Sequence, residues 1–481
     1  MISTEKMKQP PVFNLAFFTT MCERFGFYVL SFVLVLFAKS EFGFSDVEAF
    51  ALYAIFTALA YLATALGGYL ADNIIGIRRC LIMGLIFESA GLLLLVLKTR
   101  DVFPVALSLL IIGVGLFKTA PTHLLGRSYK ENDPRIDSGF TLFYMSINIG
   151  TLISSLLMGA IQRYYGWQAT FFLGGAGILI GLLLYILMRE AARECDSEVG
   201  QRKLSLKKWL YFFAGIIVAI IAFSYFIWHA LVAYGFYIVA GISVLSYFIY
   251  EIIKSSKEDK LKIISCLSLI LMGLVFYTLY QQAYTSIVLF INRSVERNVF
   301  GIEIPTIAYF SLNAVWVIIL GPILAWLYNY LGKKGKDLSV TLKFPIGLLV
   351  TTFCFFSLNL GSYFANELGM VSSIWIVLAY FFYTLGEMLV GALGVAMITH
   401  IAPKRMYGIM MGSWFFFGMS LSAVLSGKLA DIASVPDTLQ DQIAILNIYN
   451  SAFLKIGMIS LIFVILSFIA GPYIKRMAKL D

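Results

Sequence analysis

Residues 189–208, REAARECDSEVGQRKLSLKK, interrupt a chain otherwise made of long apolar runs joined by short loops. Apolar segments precede this charged stretch at 13–38, 48–71, 79–97, 103–126, 139–162 and 167–188. A helix needs roughly 20 apolar residues to cross a bilayer, so these read as six spans. Two more follow at 209–228 and 233–253, poor in polar groups apart from His229 near their turn. The last six lie at 262–291, 307–331, 342–364, 372–400, 406–430 and 446–473. The expected fold is an all-α polytopic membrane protein with fourteen spans. Two six-helix bundles, 1–188 and 262–481, flank a cytoplasmic linker and extra helix pair at 189–261. Two such halves around a central cavity are the plan of a transporter, with its substrate near the midplane. No periodic sequence repeat is evident, so the two-half reading rests on counting spans.

Composition agrees. Of 481 residues, 60% are hydrophobic and 13% charged, where soluble domains carry about 25% charged residues. The net charge of +9 does not point to nucleic acid, because the basic residues collect in alternate loops. They are Lys6 and Lys8, Arg78 and Arg79, Lys130 and Arg135, Lys203 to Lys208, Lys254 to Lys262, Lys333 to Lys336, Lys404 and Arg405, and Lys475 to Lys479. The intervening loops carry Glu41, Asp46 and Glu48, or Asp437 and Asp441. Cytoplasmic loops are the basic ones, so both termini are expected in the cytoplasm and the protein in the cell (inner) membrane. The first apolar run is too long for a signal peptide and lacks a small-residue cleavage site, so it is expected to be retained. Cysteines 22, 80, 195, 266 and 354 show no CxxC pair and read as free thiols. With three histidines, no metal centre is expected. GVGLFKT at 113–119 has Phe117 where a phosphate loop needs glycine, and HExxH and GxSxG are absent. The chain does not read as an enzyme, and no cofactor is expected beyond protons as coupling ion.

Five ionisable residues lie deep in the spans: Glu23, Arg24, Glu88, Lys118 and Glu387. A charge at the centre of a bilayer costs at least ~2.5–3.5 kcal/mol, so each should face protein or a watery cavity and have a partner. Such groups can simply tie helices together. A titratable acid in each half together with bases favours a cation-coupled carrier. In TMCERFGFY, 20–28, the residues Thr20, Glu23, Arg24 and Phe27 recur at helical spacing on one face, bordered by Tyr28. Arg24 stays charged and can clamp a carboxylate with two hydrogen bonds, whereas Glu23 can change protonation. GGYLADNIIGIRR, 67–79, offers Gly67 and Gly68 for close packing and Asp72, Arg78 and Arg79 for a cytoplasmic charge cluster, with Tyr61 three turns inside Asp72. Asn148 in FYMSINIG, Asn313 in SLNAVW and Trp414 in MGSWFFFG are, taken singly, as well explained as helix glue or interfacial anchors.

ERFxxY at 23–28, GGYLAD at 67–72, GLFK at 115–118, KENDPRIDSGFTLFYMSINIG at 130–150, SLN at 311–313, GE at 386–387 and MGSWF at 411–415 together resemble the proton-dependent oligopeptide transporters of the major facilitator superfamily. The resemblance covers nearly the whole chain. It implies symport of di- and tripeptides with protons by alternating access, in a monomer surrounded by membrane lipid. It also implies roles. Arg24 and Lys118 would meet the peptide carboxylate. Glu387, with Asn148 and Asn313, would meet the amino group. Tyr28, Tyr61 and Trp414 would line the pocket, and Glu23 would couple protons through Lys118.

This sequence departs from the family pattern ExxERFxYY at two positions. Thr20 replaces a glutamate, and Phe27 replaces a tyrosine. In the seventh core span, Gln281 and Gln282 stand where some members have an acid. Glu88 is an acid that the pattern does not contain. It either supplies part of the missing carboxylate function or is a buried acid hydrogen-bonded to a neighbouring helix. Two alternatives to peptide import stay open at this stage. One is a relative carrying another solute, such as a peptidomimetic, nitrate or an amino-acid derivative. The other is a proton-coupled drug exporter, against which Arg24 and Lys118 argue because they repel lipophilic cations.

Overall fold

The computed structural model describes residues 8–130, 133–334 and 339–478. Lys6, Lys336 and Lys479 of the basic loops, and Glu131 and Asn132 of the 130–150 motif, lie outside these. The helices are α1 Pro11–Phe42, α2 Asp46–Asn73, α3 Ile77–Leu95, α4 Phe103–Phe117, α5 Ala120–Arg127, α6 Ile136–Met188, α7 Glu198–Gln201, α8 Leu206–Trp228 and α9 Ala230–Lys254. They continue as α10 Lys257–Tyr280, α11 Ser286–Ser294, α12 Ser311–Lys333, α13 Val340–Ser362, α14 Ser373–Ile401, α15 Tyr407–Phe415, α16 Ser422–Ala430 and α17 Gln442–Ala478. Short two-residue ladders pair β1 Val295–Glu296 with β4 Val371–Ser372, and β2 Asn298–Val299 with β3 Ile302–Glu303.

Among the described residues, twelve helical stretches are long and apolar enough to cross a membrane. Thirteen of the fourteen segments read from sequence correspond to these, and the fourteenth is α3. Ile136–Ala192 holds two of them, as two helices separated by a kink. They join at Gly166, whose φ of 76° and ψ of −174° break the helical path, a conformation open to glycine. The nineteen residues of α3 include Arg78, Arg79 and Glu88.

The chain divides into two compact units. One comprises residues 1–33 and 59–229, the other 34–58 and 230–481. In the first unit the helices cross at small residues, as apolar helices without a hydrophobic drive toward one another must. A methyl on Gly67 of α2 would lie 1.9 Å from the Gly115 carbonyl of α4. One on Gly113 would lie 2.4 Å from Glu88 Cγ and 2.6 Å from Glu88 N of α3. Gly67 is therefore a contact glycine, as its sequence context suggests. Gly68 is not, since only Thr119 Oγ1 comes near it, at 3.8 Å.

Pro121 has no N–H for the Phe117 carbonyl, so the helix breaks there and Lys118 falls at the joint between α4 and α5. The amino end of α3 is capped from afar. Asp196 is 1% exposed, and its Oδ1 accepts from the backbone N–H groups of Ile77 at 2.8 Å, Arg78 at 3.3 Å and Ser197 at 2.8 Å. A carboxylate suits the unsatisfied donors and positive dipole of a helix start.

In the second unit, α1 ends at Gly43, where φ is +67°. Gly43 N–H reaches back to the Lys39 carbonyl, the closing bond of a left-handed glycine cap, and Phe44 N–H to that of Ala38. Ser45 and Glu48 then start α2 as a capping box. Glu48 N–H donates to Ser45 Oγ at 3.3 Å and Ser45 N–H to Glu48 Oε2 at 2.8 Å. This tight turn puts Asp46 inside the unit.

Candidate functional site

The first unit gathers four of the five intramembrane ionisable groups. Glu23 is fully buried and Arg24 nearly so. The guanidinium grips its neighbour's carboxylate with two parallel bonds, Nε to Oε2 and Nη2 to Oε1, each 2.5 Å. Its plane lies 4.8 Å from the Phe27 ring centroid and 6.0 Å from that of Tyr28. The helical face read from TMCERFGFY is thus a real assembly: a forked ion pair roofed by aromatic rings, whose negative faces hold a cation in place. Lys118 Nζ sits 3.6 Å from the Tyr61 ring centroid.

Glu88 completes the group. It lies within electrostatic reach of Glu23, Arg24 and Lys118, with its carboxylate turned toward that of Glu23. No donor reaches either of its oxygens. Its room comes from Gly113. The Thr20 hydroxyl, one turn before Glu23, is likewise buried without a partner. Where helix glue would leave each polar group satisfied, this assembly holds two acids and two bases with one carboxylate unused.

The second unit builds the neighbourhood of Glu387. Asn313 of α12 donates its Nδ2 to Glu387 Oε2 at 2.7 Å and to Thr384 Oγ1 at 3.1 Å. Tyr280 lies within hydrogen-bonding reach of the same carboxylate and stacks on Tyr383 at 4.5 Å between centroids. Gly386 lets α14 close on α13. A methyl there would come 2.0 Å from Thr351 Oγ1.

Other expected residues sit apart from these groups. Asn148, half-buried on α6, donates to the Tyr144 carbonyl of its own helix at 3.1 Å. Trp414 is fully buried, wedged against Gly273 of α10 with Tyr277 and Phe344 at its edges. Its indole N–H finds no acceptor. Gln281 and Gln282, in the turn that follows α10, bond to α16 through Ser422 Oγ at 2.9 Å and the Ser426 carbonyl at 2.9 Å, so they serve as helix glue. Asp72, Arg78 and Arg79 do not form one charge cluster. Asp72 approaches His123 at 3.8 Å, Arg78 donates to the Tyr185 hydroxyl, and Arg79 donates to the carbonyls of Ile75, Val199 and Arg202.

One residue that reads in sequence as a plain loop acid is an ionic hub. Asp46, 1% exposed, accepts from Arg293 Nη1 at 2.6 Å, Arg293 Nη2 at 2.8 Å and Val435 N–H at 2.9 Å, and pairs with Lys39 at 2.7 Å. The capping box one residue away was the sequence signal that this acid belongs to a structured turn.

With these groups placed, the chain can be set beside known proteins. Residues 78–446 match the sequence pattern of the POT family. The chain belongs to the POT family. It is 34% identical over 476 residues to dipeptide and tripeptide permease B of Salmonella typhimurium, covering 98% of this chain and 97% of that one. It is 36% identical over 474 residues to the permease B of Shigella dysenteriae, at 98% and 97% coverage. The fold superposes on the crystal structure of tetrameric PepTSo2 with a TM-score of 0.88 at 30% identity, covering 97% and 99% of the two chains. This POT protein is accordingly a membrane transporter of the major facilitator type and not an enzyme.

Proposed function

We propose that this POT transporter imports di- and tripeptides together with protons by alternating access, across the bacterial inner membrane and with both termini in the cytoplasm. The observation that carries the reading is the buried group of Glu23, Arg24, Glu88 and Lys118. It places fixed cations for an anionic end group beside acids that can exchange protons. Relatives named as dipeptide and tripeptide permeases support it.

In this reading Arg24 and Lys118 take the peptide carboxylate, and Tyr28 and Tyr61 hold those cations in position. Glu387 takes the peptide amino group, with Asn313 orienting it and Asn148 contributing. Trp414 shapes the pocket from behind its wall. A backbone zwitterion is common to every short peptide, so opposite end charges recognise the class without selecting side chains. Glu23 couples because an arriving carboxylate competes with it for one guanidinium fork, and a proton entering the Glu23–Glu88 pair weakens its hold on that fork. Glu387 and Glu88 are the other coupling acids. Protons serve as coupling ion without a further cofactor, and one chain in its lipid suffices, organised for transport as 1–188, 189–261 and 262–481.

Uptake of labelled di-alanine into proteoliposomes tests this. An inward proton gradient should drive accumulation above equilibrium, and an uncoupler should abolish it. Folded protein that takes up no di-alanine would refute the reading.

A further inference from the structure

The charges inside the first unit add up to a condition on binding. Arg24 and Lys118 supply two positive charges, Glu23 and Glu88 two negative. These four face one another from α1, α3 and the α4–α5 joint. Tyr28 and Tyr61 border the cations, and α6 meets α3 where the Gly175 carbonyl accepts the Ser89 hydroxyl. With both acids ionised the sum is zero. Moving the Lys118 proton onto Glu88 leaves it at zero. A net charge is costly away from water, so this is the resting state. An incoming carboxylate adds one negative charge, and one proton taken up with it restores neutrality.

The two acids are not equivalent hosts for that proton. Glu23 already receives two N–H donors from Arg24. Glu88 receives none, and it is enclosed. An ionised carboxylate without a donor is poorly compensated in such surroundings. With a proton it becomes a donor, and the Glu23 carboxylate turned toward it is an acceptor.

We infer that Glu88 makes binding of the substrate carboxylate conditional on one proton, which it takes up from the outer aqueous phase as that carboxylate arrives and yields to the cytoplasm when the carboxylate leaves. Remove Glu88 and the remaining three groups sum to +1, ready for a carboxylate with no proton. This rests on the peptide reading above.

Di-alanine binding to the purified full chain, followed against pH, tests the inference. For the wild type, the Kd should rise about tenfold per pH unit above the midpoint, the slope of one linked proton. In Glu88→Gln the slope should flatten, with binding retained at high pH. A Glu88→Gln slope equal to the wild-type slope would overturn the inference and leave the peptide reading standing. A wild type that binds no di-alanine at any pH would overturn both. Should Glu88→Gln bind nothing, the double variant T20E/E88Q decides, because Glu at position 20 returns a carboxyl one turn from Glu23. Recovered binding with a one-proton slope supports the charge count, and failure to recover overturns it.

Discussion

Replacing Asp46 by asparagine is the most severe single test of the second unit. The side chain keeps its shape but loses its charge, and an amide N–H₂ replaces one acceptor oxygen. Arg293, which donates to both carboxylate oxygens, then loses its counter-ion, and Lys39, 2.7 Å from Asp46, keeps only the exposed Asp437 at 3.2 Å. The Val435 N–H is left with a weaker acceptor or none. Removing one partner of a buried ion pair costs about 3–5 kcal/mol. The cations here are not sealed off. The side chains of Arg293 and Lys39 are 20% and 17% exposed, so water can partly compensate them and the lower end, about 3 kcal/mol, applies. That is roughly a 150-fold shift in the unfolding equilibrium. The assay is equilibrium unfolding in mixed micelles of mild detergent and dodecyl sulfate. Asp46→Asn should lose about 3 kcal/mol, and the double variant with Arg293→Met should lose clearly less than the sum of the singles, because the orphaned cation is then gone. A single-variant loss under about 1 kcal/mol, or strict additivity, would refute the argument.

Two further outcomes are expected. Gly113→Ala forces a methyl to within 2.4 Å of Glu88 Cγ and 2.9 Å of the Gly84 carbonyl, so α3 and α4 must part at a cost of about 1–3 kcal/mol; an unchanged Tm in detergent would contradict this. At the start of α6, Arg135 donates to Asp133 from Nε at 3.0 Å, from Nη2 at 2.7 Å and from its backbone N–H at 2.9 Å. These bonds hold the Asp133 carboxyl down at about 2, against an ordinary value of 3.8. A carboxyl depressed by folding stabilises above its unfolded value and loses that contribution as pH falls through the folded one. The Tm difference between wild type and Asp133→Asn should therefore be constant above about pH 4 and vanish toward pH 2. A difference persisting at pH 2 would assign the effect to something other than charge.

The spans were legible because each depends only on its own apolar length, and the 189–208 stretch marked where the first six end. The Glu23–Arg24 face was legible because helical spacing is local. Asp46 was misjudged because its partners Arg293 and Val435 lie 247 and 389 residues away, a distance that no local pattern spans. Glu88 could be flagged as an unexplained acid, but its lack of donors depends on which helix faces α3. Trp414, singled out as a pocket residue, owes its full burial to Gly273 on another helix. The break at Gly166 falls between the segments 139–162 and 167–188, where the sequence reading parts the two spans.

The cap on α3 also sets an order of events during synthesis. The first turn of α3 is made when residue 77 leaves the ribosome, but the carboxylate that receives its Ile77 N–H follows 119 residues later. At translation rates of about 5–20 residues per second this is a delay of roughly 6–24 s. Throughout that interval the α2–α3 turn has neither Asp196 on its amides nor Ser197 on the Ala71 carbonyl. The linker thus fastens the α2–α3 end of an earlier hairpin only after the sixth span has been made, so a chain truncated before residue 196 leaves that hairpin open to proteases.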